Sequence, residues 1–529
     1  MGSSRSVLRP LVALGALVFG VGCPGEKGVA GADSGEGETD TDMEPDTYSD
    51  TGSGTDTDTQ TDSDSDIDTD TDTSPEEVDA DGDGYPASED CDDTNPEVYE
   101  NETDIMALGI GPDCADMVVS ARRYGEQEDD GAYLGSGGGD TNGDGYDDVL
   151  MGTWAWQDAT GVTVGASYVV LGPMTGDQSL ATADAQIVGA GEWIEFGSRL
   201  EGLGDADGDG YDDIISSRRV GDWDVMSVIF TGPISGDMTV EDADGTWSQD
   251  PYDDVGYAIG AGDVDGDGLS DLIYRMDGDS TSPGEVGLAL GPLAGEHTLA
   301  ETIGIVSGLY SSEVCWPHGV GDTDGDGVGD LAVACTNSGA ALFSGPLTGH
   351  FLVSEGDATF LAAGLFADMG GDIDGDGYAD LTLANAQAAA GSEEYRGAVF
   401  QYQGPVLGAK DPYSSADVML VGENSGDFAY VTRGGDDLNG DGLDDTLVGA
   451  YLNSYYGAVY AVLSPVSGTV SFKDAWWKVT GDSTGNQLSL LDTVGDTDGD
   501  GYSDALLGQL RLTVALPEDG AFYLLRGGS

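Results

Sequence analysis

Basic side chains are almost missing from this chain. Only 16 lysines and arginines and 3 histidines stand against 101 aspartates and glutamates in 529 residues, a formal charge of −85. Such a polyanion is repelled by nucleic acid phosphates and by anionic lipid headgroups, which excludes both as electrostatic partners. The three histidines, His297, His318 and His350, stand without any partner pattern and are expected in loops or in packing. There is no Gly-x-Ser-x-Gly elbow, no His-Glu-x-x-His and no Gly-rich phosphate loop with a lysine. The sequence therefore gives no expectation of an enzyme. What is abundant is glycine, 87 residues of it, a composition that suits tight turns between short strands better than long helices.

Four regions follow one another. Residues 1–22 read as an export signal: Arg5 and Arg9 precede the apolar run Leu11 to Val21, which is too short to span a bilayer. Gly20-Val21-Gly22-Cys23 resembles a bacterial lipoprotein cleavage box, which would make Cys23 the lipidated first residue. An ordinary secretory signal containing a cysteine is the alternative. Residues 23–78 are dominated by Asp, Thr, Ser, Gly and Glu, as in Asp68-Thr69-Asp70-Thr71-Asp72. They can bury no core, so a disordered tether is expected. Any contact with a membrane is expected only through the lipid.

Residues 79–114 carry Asp79-Ala-Asp81-Gly-Asp83-Gly, then Asp90-Cys91-Asp92-Asp93, and later Asp113-Cys114. This resembles a short metal-binding motif of bacterial surface proteins, in which Asp79, Asp81 and Asp83 chelate calcium and Asp90 closes the loop at position 12. The alternative is an acidic turn held by a disulfide.

From residue 115 to 529 one pattern recurs seven times. Its acidic centres begin at residues 140, 205, 263, 322, 372, 437 and 496, spaced 50 to 65 apart. A fixed-period repeat decides the architecture before any local reading does. Each centre is followed by an apolar run such as Val149-Leu150 or Ile214-Ile215. A second run comes later, usually ending in Gly-Pro (Ser167 to Pro173, Val228 to Pro233). A third lies between centres (Ala185 to Val188), and a fourth leads into the loop (Phe196 to Leu200, Val255 to Ile259). Four short strands per repeat make a blade, so the expectation is an all-β, seven-bladed propeller with each acidic loop between first and second strands. Met117 to Ala121 is expected to pair with the last blade, whose own final strand, Phe522 to Leu525, leaves an edge open.

These residues resemble the FG-GAP repeats of the integrin α-chain propeller, with Phe196-Gly197 as the best Phe-Gly and Leu134-Gly135 and Val255-Gly256 as softer versions. In each loop, positions 1, 3 and 5 offer side-chain oxygens, position 7 a carbonyl and position 9 a carboxylate, with glycines at 4 and 6 for the turn. The candidate ligands are Asp140, Asn142, Asp144, Tyr146 and Asp148; Asp205, Asp207, Asp209, Tyr211 and Asp213; Asp263, Asp265, Asp267, Leu269 and Asp271; Asp322, Asp324, Asp326, Val328 and Asp330. The last three loops supply Asp372, Asp374, Asp376, Tyr378 and Asp380; Asp437, Asn439, Asp441, Leu443 and Asp445; Asp496, Asp498, Asp500, Tyr502 and Asp504. An EF-hand would need Glu at position 12, where Met151, Ser216 and Tyr274 stand instead. Clustered carboxylates repel one another unless a cation neutralises them. Calcium, which takes six to eight hard oxygens, fits better than magnesium, with about seven sites in the propeller.

Cys91 with Cys114 and Cys315 with Cys335 are the expected disulfides, the second flanking the loop 322–330. Trp154, Trp156 and Trp193 are expected near the face opposite the loops, in packing or in ligand stacking. Trp476 and Trp477 fall in an outer strand, one of them facing water. The functional expectation is a calcium-binding surface module for adhesion to a protein or glycan. The alternatives are an envelope enzyme on a propeller scaffold, hydrolysing polysaccharide or lipid, and a structural calcium-binding envelope protein.

Overall fold

The computed structural model describes residues 119–528 apart from 128–130, 192–195, 221–223, 249–254, 277–280, 299–300, 363–364, 387, 389–395, 424–428, 451–456, 481–487 and 510–519. Seven small sheets form a seven-bladed β-propeller. In blade one the chain runs outward through Ala132–Gly139, Asp148–Thr153, Ala166–Val170 and Ala185–Val188, each antiparallel to the last. The inner strands of the other blades are Leu200–Gly204, Val255–Gly262, Cys315–Gly321, Phe366–Gly371, Ala429–Asp436 and Leu488–Thr493. Every acidic loop joins an inner strand to the second strand, as the repeat implied.

Both faces of each blade are covered by neighbouring blades. That is why second strands such as Asp148–Thr153, Asp330–Cys335 and Asp445–Ala450 are buried along their whole length and read as apolar runs without alternation. The apolar core is accordingly divided into seven clusters, one at each junction between adjacent blades. The Phe196-Gly197 pair lies just before its strand and serves a junction. Phe196 is buried between blades one and two, and a Cβ on Gly197 would sit 2.1 Å from the Ala166 carbonyl oxygen.

Closure occurs as anticipated but runs further along the chain. Val119–Tyr124 pairs antiparallel with Ala521–Leu525 and supplies the outer strand of blade seven. A fifth strand was not anticipated. After its third strand the chain crosses to the preceding blade, pairs parallel with that blade's outer strand, and only then returns to form its own. Gly176–Ser179 lies on Val119–Tyr124 in this way, and Gly236–Thr239 on Ala185–Val188. Six sheets are thereby five-stranded; the sheet of Ala429–Asp436 has four strands among the described residues.

Candidate functional site

The seven acidic loops share one architecture, seen in blade two. Asp205 accepts through Oδ1 from the N–H of Gly208 and Asp209 at 2.7 and 3.1 Å, and through Oδ2 from Gly210 at 3.0 Å. Asp207 accepts from Asp209 N–H, and Asp209 from Tyr211 N–H, both at 3.0 Å. Each carboxylate thus holds the turn with part of its acceptor capacity and keeps the rest for a cation. The turn requires left-handed backbone at Gly208 and Gly210, φ 85° and 92°. The N–H at position 7 (Tyr146, Tyr211, Leu269, Val328, Tyr378, Leu443, Tyr502) bonds the position 5 carboxylate in all seven loops, at 2.9–3.1 Å.

Position 9 does more than offer a ligand. Asp213 is fully buried; its Oδ1 accepts from Gly232 N–H and its Oδ2 from Ala206 N–H, both at 2.9 Å. The same two bonds recur at Asp148, Asp271, Asp330, Asp380, Asp445 and Asp504, clamping the loop to the end of the third strand. Burial raises these carboxyls despite the bonds: Asp148, Asp213, Asp271 and Asp504 to about 6, Asp380 and Asp445 to about 7, and Asp330 in the same direction. The protein leaves them short of positive charge, which a bound cation would supply.

Carboxylate oxygens converge to within 4.8 Å of one another in five loops. They belong to Asp205, Asp207 and Asp213; Asp263, Asp265 and Asp271; Asp322, Asp324 and Asp330; Asp372, Asp374 and Asp380; and Asp496, Asp498 and Asp500. This donor set fits a hard divalent cation. In blades one and six, Asn142 and Asn439 replace the second aspartate, and their Nδ2 groups point at Asp144 and Asp441 at 3.0 and 3.4 Å. In blade seven Arg526 Nε lies 2.7 Å from Asp498. The sequence pattern made the seven loops equal; the side chains around them do not.

The loops also interlock around the ring. The N–H of position 8 donates to the position 1 carbonyl of the preceding loop in every blade, from Asp147 to Asp496 through Ser503 to Asp437, at 2.9–3.2 Å. The side chain at position 7 packs over the preceding loop's position 4 glycine. A Cβ on Gly143 would lie 2.6 Å from the Tyr211 ring, and one on Gly499 2.6 Å from that of Tyr146. That glycine therefore serves space as well as turn geometry.

A second site was not legible as such. The residues four positions before each loop, Ser136, Glu201, Ile259, His318, Asp368, Arg433 and Asp492, occupy one level of the inner strands, each paired two residues beyond its blade's position 9 aspartate. Arg433 bridges Asp368 and Asp492 at 2.9 and 3.0 Å, and His318 lies 3.9 Å from Asp368. Glu201 of blade two feels Arg433 of blade six, which is possible only across the central channel. Burial pushes Glu201 up to about 7, with Arg433 opposing and Asp492 adding to the rise. Burial lowers His318, with Asp368 opposing. Aligning the seven repeats at this position would have exposed the ring.

The Cys315–Cys335 disulfide is present, linking paired residues of adjacent strands. His297 stacks on Trp247 and lies 2.8 Å from Glu301, while His350 meets Ser307 at 2.6 Å. Trp156 packs against an apolar cluster and its Nε1 bonds Glu126. Trp477 is buried and Trp476 half-buried against the same cluster, so neither stands free in water. Asp79, Asp81, Asp83, Asp90, Cys23, Cys91, Cys114 and Trp193 lie outside the described residues.

No family model matches the chain. Integrin alpha pat-2 of Caenorhabditis briggsae is 24% identical to it over 226 residues, 38% of this chain and 18% of that protein. Integrin alpha-5 of Xenopus laevis is 35% identical over 153 residues, 27% of this chain and 14% of its own length. The matched regions span less than one-fifth of either relative. A solved structure of BBS1N in complex with ARL6DN covers 78% of the chain at 9% identity with a TM-score of 0.43. The partial integrin matches support an integrin-α-like propeller.

Proposed function

We propose that this chain is a calcium-loaded propeller, exported and displayed on its N-terminal tether, that works as an adhesion or scaffold module for a protein or glycan and not as an enzyme. The observation that carries the reading is the interlocked ring of seven acidic loops. Calcium there would neutralise carboxylates that burial leaves uncompensated, and would stiffen a whole face of the ring because each loop is bonded to the next. Sites of this extracellular type bind at about 10⁻⁴ to 10⁻³ M, so they fill outside the cell and stay empty in cytosol.

The opposite face supplies surface for recognition. Leu309, Tyr310 and Leu361 are exposed on connections between outer and inner strands. The first two are presented on a rigid tip. Buried Glu313 accepts from the N–H groups of Leu309, Tyr310, Asn337 and Ser338 at 2.5–3.1 Å, and these bonds with Ser338 Oγ hold its carboxyl low although burial works against them. Exposed aromatic and aliphatic groups on an ordered tip suit a protein partner. Among the described residues no helix is long and apolar enough to cross a membrane.

Calorimetric titration of the protein with calcium, and melting in millimolar calcium against chelator, test the proposal. Heats for several sites and a higher melting temperature with calcium are expected. No heat of binding together with superimposable melts would overturn it.

A further inference from the structure

The outer-strand position opposite the second residue of the third strand's last five is filled in six blades by Ile187, Trp247, Val306, Phe360, Leu420 and Val479. Each is buried in a different cluster between blades. In blade seven the same position holds Arg123, opposite Phe522. Arg123 as a whole is 5% exposed. Nη1 donates to the carbonyls of Arg122, Thr175 and Gly176 at 3.0, 3.3 and 2.9 Å, which fixes the plane of the guanidinium. No carboxylate hydrogen-bonds to it among the described residues. Asp177 is bonded to Arg122 and Asp184 accepts from Leu171 N–H at 3.0 Å, so both attract Arg123 only through space, too weakly to offset its burial. A guanidinium in a place where every other blade puts an apolar wedge costs stability unless something uses it.

Beside Arg123 lies a cavity of about 360 Å³ between blades seven and one, walled by Thr175, Gln178, Thr182, Asp184 and Asp144. We propose that this cavity binds a hexuronate sugar residue, its carboxylate forked on Nε and Nη2 of Arg123 and its hydroxyls on the polar wall. The planar fork matches a carboxylate's two oxygens. The wall offers hydroxyl, amide and carboxylate acceptors spaced around a volume suited to one ring and its linkages, in the range of small-ligand sites. Asp144 belongs to the blade-one loop, so the sugar lies beside that candidate metal centre. The assignment deepens the interaction reading above by naming a ligand class, and rests on it. The chain's large negative charge opposes an approaching anion, so association should quicken as salt is added, the reverse of ordinary ion pairing.

The test uses the full chain in millimolar calcium with D-glucuronate as probe, D-glucose as its neutral counterpart and L-glutamate as a carboxylate without hydroxyls, read by ligand-observed NMR. Glucuronate should bind, and glucose on the order of tenfold more weakly or worse. Arg123→Leu restores the residue type of the other blades and should melt no lower than the parent, yet lose glucuronate by a similar factor. Arg123→Lys keeps the charge without the fork and should fall between. Equal binding by Arg123→Leu, equal binding of glucose, or preference for glutamate would each overturn the assignment, as would no binding of glucuronate to the parent. Melting with and without chelator separates this failure from failure of the calcium reading, because it follows the loops whether or not sugar binds.

Discussion

The carboxylate of Asp212, in the loop of blade two, accepts a 2.8 Å hydrogen bond from the backbone N–H of Asp140, the first residue of the loop in blade one. Asp444 does the same for Asp372 and Asp147 for Asp496, at 2.7 and 2.8 Å. Each tie lies beside the amide-to-carbonyl bond that runs the other way between the same loops. The three loops so held have an acidic residue on loan from a neighbour, and their first ligand is oriented by it.

Replacing Asp212 by alanine should therefore cost about 1.5–3 kcal/mol of stability, the range for a hydrogen bond to a charged acceptor. Denaturant titration in saturating calcium measures it. Calorimetric titration with calcium should show weaker binding at one site, the loop of blade one. Ser270 stands at the equivalent position of blade three, and Ser270→Ala should stay within about 0.5 kcal/mol of the parent.

Asp213 allows ligand and clamp to be separated. Asp213→Ala leaves the buried N–H groups of Gly232 and Ala206 without acceptors, at roughly 1–3 kcal/mol for each group. Asp213→Asn keeps one oxygen for one of them and should lose about half as much. If the residue were a ligand alone, the two variants would be equally stable in chelator and would differ from the parent only when calcium is present.

How far these features could be read in advance depends on how each is encoded. The blades were legible because seven acidic loops and the apolar second strands repeat at a fixed period, and Met117 to Ala121 was legible as the missing outer strand, although the strand found is Val119–Tyr124. The fifth strands were not. Gly176–Ser179, Gly236–Thr239 and Gly295–Thr298 are short, polar and exposed, so they carry neither alternation nor an apolar run. The channel ring escaped for another reason. Ser136, Glu201, His318, Asp368, Arg433 and Asp492 share a place and no chemistry, and only the convergence of inner strands at the axis makes them one group. Arg123 was hidden likewise, since an arginine in a strand means little until Ile187 and Phe360 are seen to be its equivalents.

The channel gives a pH dependence with a definite sign. Burial raises Glu201 to about 7 from an ordinary value of 4.5. A carboxyl raised on folding binds its proton more tightly in the native state, so its contribution is complete below pH 4.5 and is lost as pH rises toward 7 and beyond. Glu201→Gln mimics the protonated form and should abolish that loss. At pH 8 in saturating calcium the variant should be more stable than the parent by on the order of 2 kcal/mol, and at pH 4.5 the two should coincide. A gap of constant size across that interval would mean that the substitution acts through packing instead.

The disulfide gives a prediction that does not involve charge. Cys315 and Cys335 face each other across the hairpin that carries the fourth acidic loop, 20 residues apart in sequence, and both are buried in the cluster between blades three and four. Reduced thiols would still pack there as small apolar groups, so cutting the bond removes little except the restraint on the unfolded chain. For a closed loop of this length that restraint is worth about 3 kcal/mol. Unfolding in denaturant with and without a phosphine reductant should differ by that order, and Cys315→Ala with Cys335→Ala should unfold alike in both conditions. Because the restraint acts on the unfolded chain, reduction should leave calcium affinity at loop 322–330 nearly unchanged. A large fall in that affinity on reduction would instead place the bond's effect in the native hairpin, where it would be holding Asp322 and Asp330 in position.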